Sequence, residues 1–258
     1  MGRVRPRVVV VSLVAVLALG AALVAVPYVV LPGAAAMPAA ALAAYRSAGS
    51  VRVGLVADES VRVSGEGLVP MYVKGSAARN TAGRPRVDAR FDRLQVTRTG
   101  DGTDVRGRVV DGRTYSRNFG GGGPWRELTT SGDDDLSVAM GMTDPSPLLR
   151  FARENDARVA DARDGWFGLR YTVDCWDCGF PLTAPIDDGT ADTSVLPSAV
   201  HVAVTYTLDV RDRPTEIVLT AASGTAIVKV TLLLHGYGER VPAPVPAGAS
   251  PSPAPTFR

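Results

Sequence analysis

The stretch HVAVTYTLDV, residues 201–210, decides the fold class of this chain. Its larger apolar side chains occupy every second position, at Val202, Val204, Tyr206 and Leu208. The positions between them carry small or polar side chains. Successive side chains of a β-strand point to opposite faces, so this period of two predicts a strand with one face in the core.

The same period extends from this stretch along most of the chain. Strand-like segments lie on both sides of it, at residues 51–55, 61–63, 71–79, 87–100, 104–117, 166–174, 215–223 and 224–238. Asp111 and Gly112 separate two such runs and are typical of a two-residue hairpin turn. Because hairpins join antiparallel neighbours, we predict an antiparallel meander.

Three segments favour helix instead. The first runs from Ala39 to a stop at Gly49, and the second begins near the acidic run 133–135, whose charges suit a helix N-terminus. The third is TDPSPLLRFAREND, residues 143–156, where Asp144 or Ser146 can cap the helix. The expected fold is therefore α+β, with a few short helices and a long antiparallel sheet.

The N-terminal segment has the character of an export signal. Three arginines in MGRVRPR precede the run from Val8 to Leu31, which contains no charge. The run is long enough to span a bilayer, which favours an uncleaved anchor, whereas Ala34 to Ala36 offer a signal-peptidase site. In both cases the positive-inside rule places the residues after Met37 outside the membrane. We predict an anchored cell-membrane protein, with secretion after cleavage as the alternative.

Three regions follow from this reading. Residues 1–36 are expected to form a transmembrane anchor or signal peptide, residues 37–242 a single domain, and residues 243–258 a disordered tail. The last prediction rests on VPAPVPAGASPSPAPTFR, which is rich in proline and poor in apolar bulk.

Charge and composition exclude some functions. The formal net charge is +2, and the charges of both signs are mixed along the chain without a basic block. Nucleic acid is therefore not an expected partner. Lys occurs only at Lys74 and Lys229, and the abundance of Ala, Val, Gly and Arg indicates a GC-rich bacterial genome of the actinobacterial kind.

The sequence contains two cysteines, Cys175 and Cys178, in VDCWDCGF. Outside the membrane such a pair favours a structural disulfide. A thiol oxidoreductase remains an alternative, although Gly179 and Pro181 leave no helix start beside the pair to lower a thiol pKa. A zinc site would need further ligands, for which the chain has His201 and His235.

Patterns that carry catalysis are missing from the sequence. There is no G-x-S-x-G, H-E-x-x-H or Walker glycine loop, and the glycine run 120–123 precedes a strand-like segment. The acidic groups at 133–135 and 187–192 lack the spacing of a calcium loop and suit helix capping and loop solvation. We expect a non-enzyme that needs no metal or cofactor.

The order of a helix, a long sheet, short helices and further strands resembles the LolA/LppX-like lipoprotein-carrier family, of the LppX/LprAFG type. Local features carry the resemblance between about Ala39 and Gly248: GRTYSRNFGGGGPWREL at 112–128, DPSPLLRF at 144–151, TLDVRDRPTEIVLT at 207–220 and VTLLLHGYGERVPAPVPAG at 230–248. The resemblance implies a strongly curved, half-open barrel wrapped around the helices, with an apolar cavity for acyl chains. Members with a lipidated Cys are common, and no Cys lies directly after the N-terminal segment here.

Seven residues are candidates for contact with such a ligand: Met140, Met142, Leu148, Phe151, Tyr115, Trp125 and Trp166. Flexible methionines tolerate ligands of varied shape, and ordinary helix-on-sheet packing is the alternative for each residue. The expected function is non-catalytic binding of a lipid or other apolar molecule at the outer face of the membrane. A membrane-anchored sensor or interaction domain with an envelope protein partner is the alternative.

Overall fold

The structure of the protein is a computed structural model. The described residues are 37–61, 72–95, 102–118, 123–128, 135–155, 158–165, 168–176, 178, 201–223 and 226–251. The expectations for residues 1–36, for Trp166 and for the acidic residues Asp133, Asp134, Asp187, Asp188 and Asp192 lie outside the described residues.

The described helices are short. They are α1 (Met37–Ser47), α2 (Asp135–Met142) and α3 (Ser146–Glu154). Gly49 ends α1 with a φ of 77°, a value that favours glycine. The N-cap of α3 is Pro145, so the prediction that Asp144 or Ser146 caps this helix is wrong, although the carboxylate of Asp144 accepts a hydrogen bond of 2.9 Å from the Ser146 N–H. Within the described part of the chain, no helix has the length and apolar character needed to cross a membrane.

The strands of the described residues form one sheet. They are β1 (Ser50–Val61), β2 (Tyr72–Asn80), β3 (Val87–Gln95), β4 (Gly102–Val110), β5 (Arg113–Asn118), β6 (Arg126–Leu128), β7 (Arg158–Gly165), β8 (Gly168–Trp176), β9 (His201–Leu208), β10 (Pro214–Ser223), β11 (Ala226–His235) and β12 (Ser250–Pro251).

The sheet has the spatial order β12-β6-β5-β4-β3-β2-β1-β11-β10-β9-β8-β7. Neighbours pair antiparallel, except that β12 runs parallel to β6. The first strand pairs with β11, which joins the two meanders into one surface. This sheet is not closed into a barrel, since its order ends at β12 and β7. The predicted α+β class, with an open antiparallel sheet and a few short helices, is confirmed.

One face of the sheet, which we call the inner face, carries the core. In β9 the side chains of the four predicted apolar positions are buried, and those between them are half-buried. Tyr206 lies opposite Tyr171 and Ile217 in the register, so the same face continues through β8 and β10. The inner face of β3 and β11 contributes Ala89, Phe91, Val230 and Leu232, among others, which are all buried.

Two helices pack on this inner face. A Cβ placed on Gly107 of β4 would lie 2.5 Å from Met140 Sδ and 3.2 Å from Leu136 Cδ1, so α2 rests directly on that glycine. The hydroxyl of Tyr206 donates a hydrogen bond of 2.5 Å to the carbonyl oxygen of Leu148 in α3.

The C-terminal segment differs from its prediction. Residues 241–251, which we call the strap, are described; Ala243 in it is buried, and β12 pairs with β6. The strap is poor in apolar bulk, but Val110 and Tyr115 of the sheet supply the apolar surface on which it packs. Local composition does not contain that information. The expected disorder remains a prediction for residues 252–258, which lie outside the described residues.

Candidate functional site

Four of the candidate ligand contacts belong to the two helices α2 and α3, which pack on the inner face. Met140, Met142, Leu148 and Phe151 have at most 5% of their surface exposed. Met140 and Met142 belong to α2, and Leu148 and Phe151 belong to α3, which the helical period of the sequence places on the core side. The structure therefore buries all four side chains in two helices that pack on the inner face, α2 at β4 and α3 at β9.

A polar cluster ties these two helices to the sheet. Arg79 of β2 is buried, and its Nη2 lies 2.8 Å from the carboxylate of Asp144. Arg79 Nη1 also donates to the hydroxyl of Thr143, which in turn donates to the carbonyl of Met140 over 2.7 Å. These contacts fix the connection between α2 and α3 to the end of β2.

Tyr45 of α1 belongs to the same polar cluster. Burial raises the pKa of Tyr45 to about 12, and the negative charge of Asp144 adds to this rise while the positive charge of Arg79 opposes it. The phenol therefore stays neutral over the physiological range and can donate a hydrogen bond. The cluster joins α1, β2 and the start of α3.

Two stacked tyrosines lie on the inner face of the second meander, in β8 and β9. The rings of Tyr171 and Tyr206 lie 4.7 Å apart between centroids, and both side chains are buried. Burial raises the pKa of both hydroxyls. The Tyr206 hydroxyl has its partner in Leu148, whereas the Tyr171 hydroxyl has no hydrogen-bond partner among the described residues.

Tyr115 and Trp125 lie on the opposite face of the sheet from the four helix residues. Gly107 faces α2, so its neighbour Arg108 points to the other face, which we call the outer face. Tyr115 is paired with Arg108, and Trp125 packs beside Tyr115. The six described candidates therefore lie on both faces of the sheet and do not form one set.

A small cavity of about 150 Å³ lies between β5 and β6. Its lining consists of Ser116, Arg117, Gly123, Pro124 and Arg126. None of the six described candidates belongs to that lining, and its arginines give it a basic rather than an apolar character.

The two cysteines lie at the end of β8, with their sulfur atoms at disulfide distance. Each has 8% of its surface exposed. Beside them on the outer face, His201 contacts Asp174 over 2.7 Å, and its ring stacks on the exposed ring of Trp176. His235 is exposed at the end of β11.

Sequence reasoning missed Arg79, Tyr45 and Tyr171. The sequence contains one signal for Arg79. It lies an even number of positions from Val73 and Ala77 in β2, so its side chain points to the same inner face. An arginine at a core position needs an anionic partner, which here is Asp144.

Comparison with known proteins places the fold. No family model matches the sequence, and no curated protein matches it. Among solved structures, LprF from Mycobacterium bovis is similar with a TM-score of 0.55 and 12% identity, over 84% of this chain and 99% of that one.

Two further structures match with lower scores. The lipoprotein LppX from Mycobacterium tuberculosis has a TM-score of 0.40 and 13% identity, over 81% of this chain and 97% of that one. A LolA superfamily protein from Nitrosomonas europaea has a TM-score of 0.31 and 8% identity, over 78% and 92%. The likeness to LprF, together with the open sheet and its helices, shows a LolA/LppX-like fold, as the sequence features predict.

Proposed function

We propose that this protein binds a lipid or other apolar ligand without catalysis, in the layer between α2, α3 and the inner face of the sheet. The observation that carries the proposal is the direct packing of the Met140 side chain on Gly107. Gly107 has no side chain and the thioether of Met140 is flexible, so Met140 can change its rotamer to admit an apolar chain between α2 and β4.

The composition of the layer supports the same proposal. Met142, Leu148 and Phe151 are buried and apolar, and burial of an acyl chain against such side chains gains about 0.8 kcal/mol per methylene. Binding of that strength needs no catalytic group. Methionines adapt to chains of different shape, which suits a carrier or a resident binder.

The free hydroxyl of Tyr171 supports an amphiphilic ligand. A buried hydroxyl without a partner costs free energy, so a site of this kind favours a ligand group that accepts its hydrogen bond. The ester or carboxyl group of a lipid is such an acceptor. In this arrangement the polar end of the ligand lies near Tyr171, and its apolar part lies under the helices.

The place of action belongs to the same proposal. The arginines before Val8 and the uncharged run to Leu31 support export, with the domain outside the membrane and the segment retained as an anchor. A binder held at the outer face meets lipids of the envelope as they leave the bilayer.

The test is recovery of ligand from the full chain. Native mass spectrometry and organic extraction of the purified protein should yield a lipid, and a fluorescent long-chain fatty acid should bind saturably. Met140→Leu keeps the volume but stiffens the side chain, so it should weaken this binding several-fold, whereas Ser137→Ala on the half-buried side of α2 should not. Absence of both recovered lipid and saturable binding would refute the proposal.

A further inference from the structure

The strap covers a groove on the outer face of the sheet. Three side chains form the apolar floor of this outer groove, namely Val110, Tyr115 and Trp125, and Arg108 lies along it. The guanidinium carbon of Arg108 lies 4.6 Å from the centre of the Trp125 ring, a cation–π contact. The groove is separate from the proposed lipid site, because the sheet lies between them.

Residues outside the strap hold the groove in shape. Asp88 of β3 is within 3.2 Å of the Arg108 guanidinium and within 2.7 Å of the Arg106 guanidinium. Tyr115 is set by the pairing of β5 with β4 and β6. Because these contacts do not involve the strap, they continue to hold Arg108 and Tyr115 when the strap is lifted.

The strap itself contributes little bulk. Ala243 and Pro246 are buried, whereas Pro242, Pro244 and Val245 are exposed. Its polar contacts use the backbone: the Pro244 carbonyl accepts a hydrogen bond from Arg108, and β12 forms a two-residue ladder with β6. Any extended chain with small residues and prolines at these positions can make the same contacts.

We propose that the outer groove is a recognition site for an extended, proline-rich segment of a partner protein, and that the strap occupies it in cis. Aromatic grooves bind proline-rich segments because such segments are already extended and lose little entropy on binding. The strap shows which chemistry fits: an uncharged chain in which prolines alternate with small or β-branched residues. A partner segment binds when it displaces the strap, so the strap sets the threshold for binding.

The test uses a fluorescent synthetic peptide with the sequence of residues 241–251 and the full chain. Ala243→Arg places a long charged side chain against Val110 and Tyr115 and should release the strap. That variant should bind the peptide at least about tenfold more tightly than the native chain, because the cis competitor is gone. Val245→Arg is the matched control, since Val245 is 57% exposed, and its affinity should equal that of the native chain. Trp125→Ala added to Ala243→Arg should remove the binding.

Substituted peptides give a second comparison that leaves the protein unchanged. At high concentration on the native chain, a peptide with the Ala243→Arg change should fail to compete, and one with the Val245→Arg change should compete fully. Absence of saturable peptide binding to the released variant, or equal competition by the two peptides, overturns the proposal. A dimer of the native chain that Val245→Arg keeps and Ala243→Arg abolishes would assign the groove to the strap of a second copy, and overturns it too.

Discussion

Arg79 and Asp144 form an ion pair over 2.8 Å inside the protein, between the second strand and the connection of α2 to α3. The side chain of Arg79 is 10% exposed and that of Asp144 is 26% exposed. A pair this sheltered is little screened by salt, and loss of either partner leaves a buried charge. The ion pair therefore joins the helix layer of the proposed lipid site to the sheet.

Asp144→Ala should lower the free energy of unfolding by about 3 kcal/mol, because it leaves the Arg79 guanidinium buried without an anion. Urea unfolding measures the change. Asp92→Ala is the control, since Asp92 is 57% exposed and 3.4 Å from Arg90, and it should cost under about 1 kcal/mol. Equal effects of the two substitutions would contradict the buried role of the pair. The double variant Arg79→Met with Asp144→Leu should recover much of the loss, since it removes both charges together.

The stacked tyrosines provide a matched pair of substitutions. Tyr206→Phe removes the hydroxyl that donates to the Leu148 carbonyl and should lower the free energy of unfolding by about 1–2 kcal/mol. Tyr171→Phe removes a buried hydroxyl without a partner and should raise the free energy of unfolding of the ligand-free protein, by about 1 kcal/mol. Thermal unfolding of both variants measures the difference in sign. A loss of stability in Tyr171→Phe would show that its hydroxyl is satisfied in solution.

The sequence predicts those parts of the fold that depend on local order. The alternation from Val202 to Leu208 predicts which side chains face the core, and the hydrogen bond from the Ser146 N–H to Asp144 is a contact between near neighbours. The helix α3 follows from the same kind of signal, whereas α2 is predicted from the acidic run 133–135 near its start and from its apolar content. Each of these features is determined by residues a few positions apart, whose geometry a strand or helix period describes.

Other features depend on pairings across the chain. The burial of Ala243 depends on Val110 and Tyr115, which are more than a hundred positions away and have no counterpart in the local pattern of the strap. For a similar reason, the sequence does not predict which face of the sheet carries Tyr115. Gly107 in the neighbouring strand β4 has no side chain, so the alternation along β4 does not show which of its faces is buried. A register shift after Lys74 further changes the alternation along the sheet. The candidate site could therefore be predicted in its helices and not on its strands.

Stability should fall in alkaline solution as pH rises from about 10 towards 12. The ordinary pKa of a tyrosine is 10.0, and burial raises that of Tyr45 to about 12, so the folded state retains a proton that the unfolded state has lost. The unfolded state binds fewer protons in this window, and the free energy of unfolding decreases with pH. Tyr45→Phe should flatten this decrease, which urea unfolding at several pH values measures. Tyr171→Phe should flatten it as well, because burial also raises the pKa of that hydroxyl. An unchanged slope in both variants would contradict the assignment.

The cysteine pair supports a prediction on stability and on redox chemistry. Cys175 and Cys178 are three positions apart. Closing so short a loop lowers the conformational entropy of the unfolded chain, which stabilises the folded state by about 2 kcal/mol. The variant with both Cys175→Ser and Cys178→Ser should therefore lose about 2 kcal/mol of unfolding free energy, measured against the native protein in oxidising buffer. Addition of a reductant should lower the native value towards that of the variant and leave the variant unchanged. Turnover of a model dithiol substrate by the native protein, absent from the variant, would instead favour the oxidoreductase alternative; we expect none, because both sulfur atoms belong to residues that are only 8% exposed.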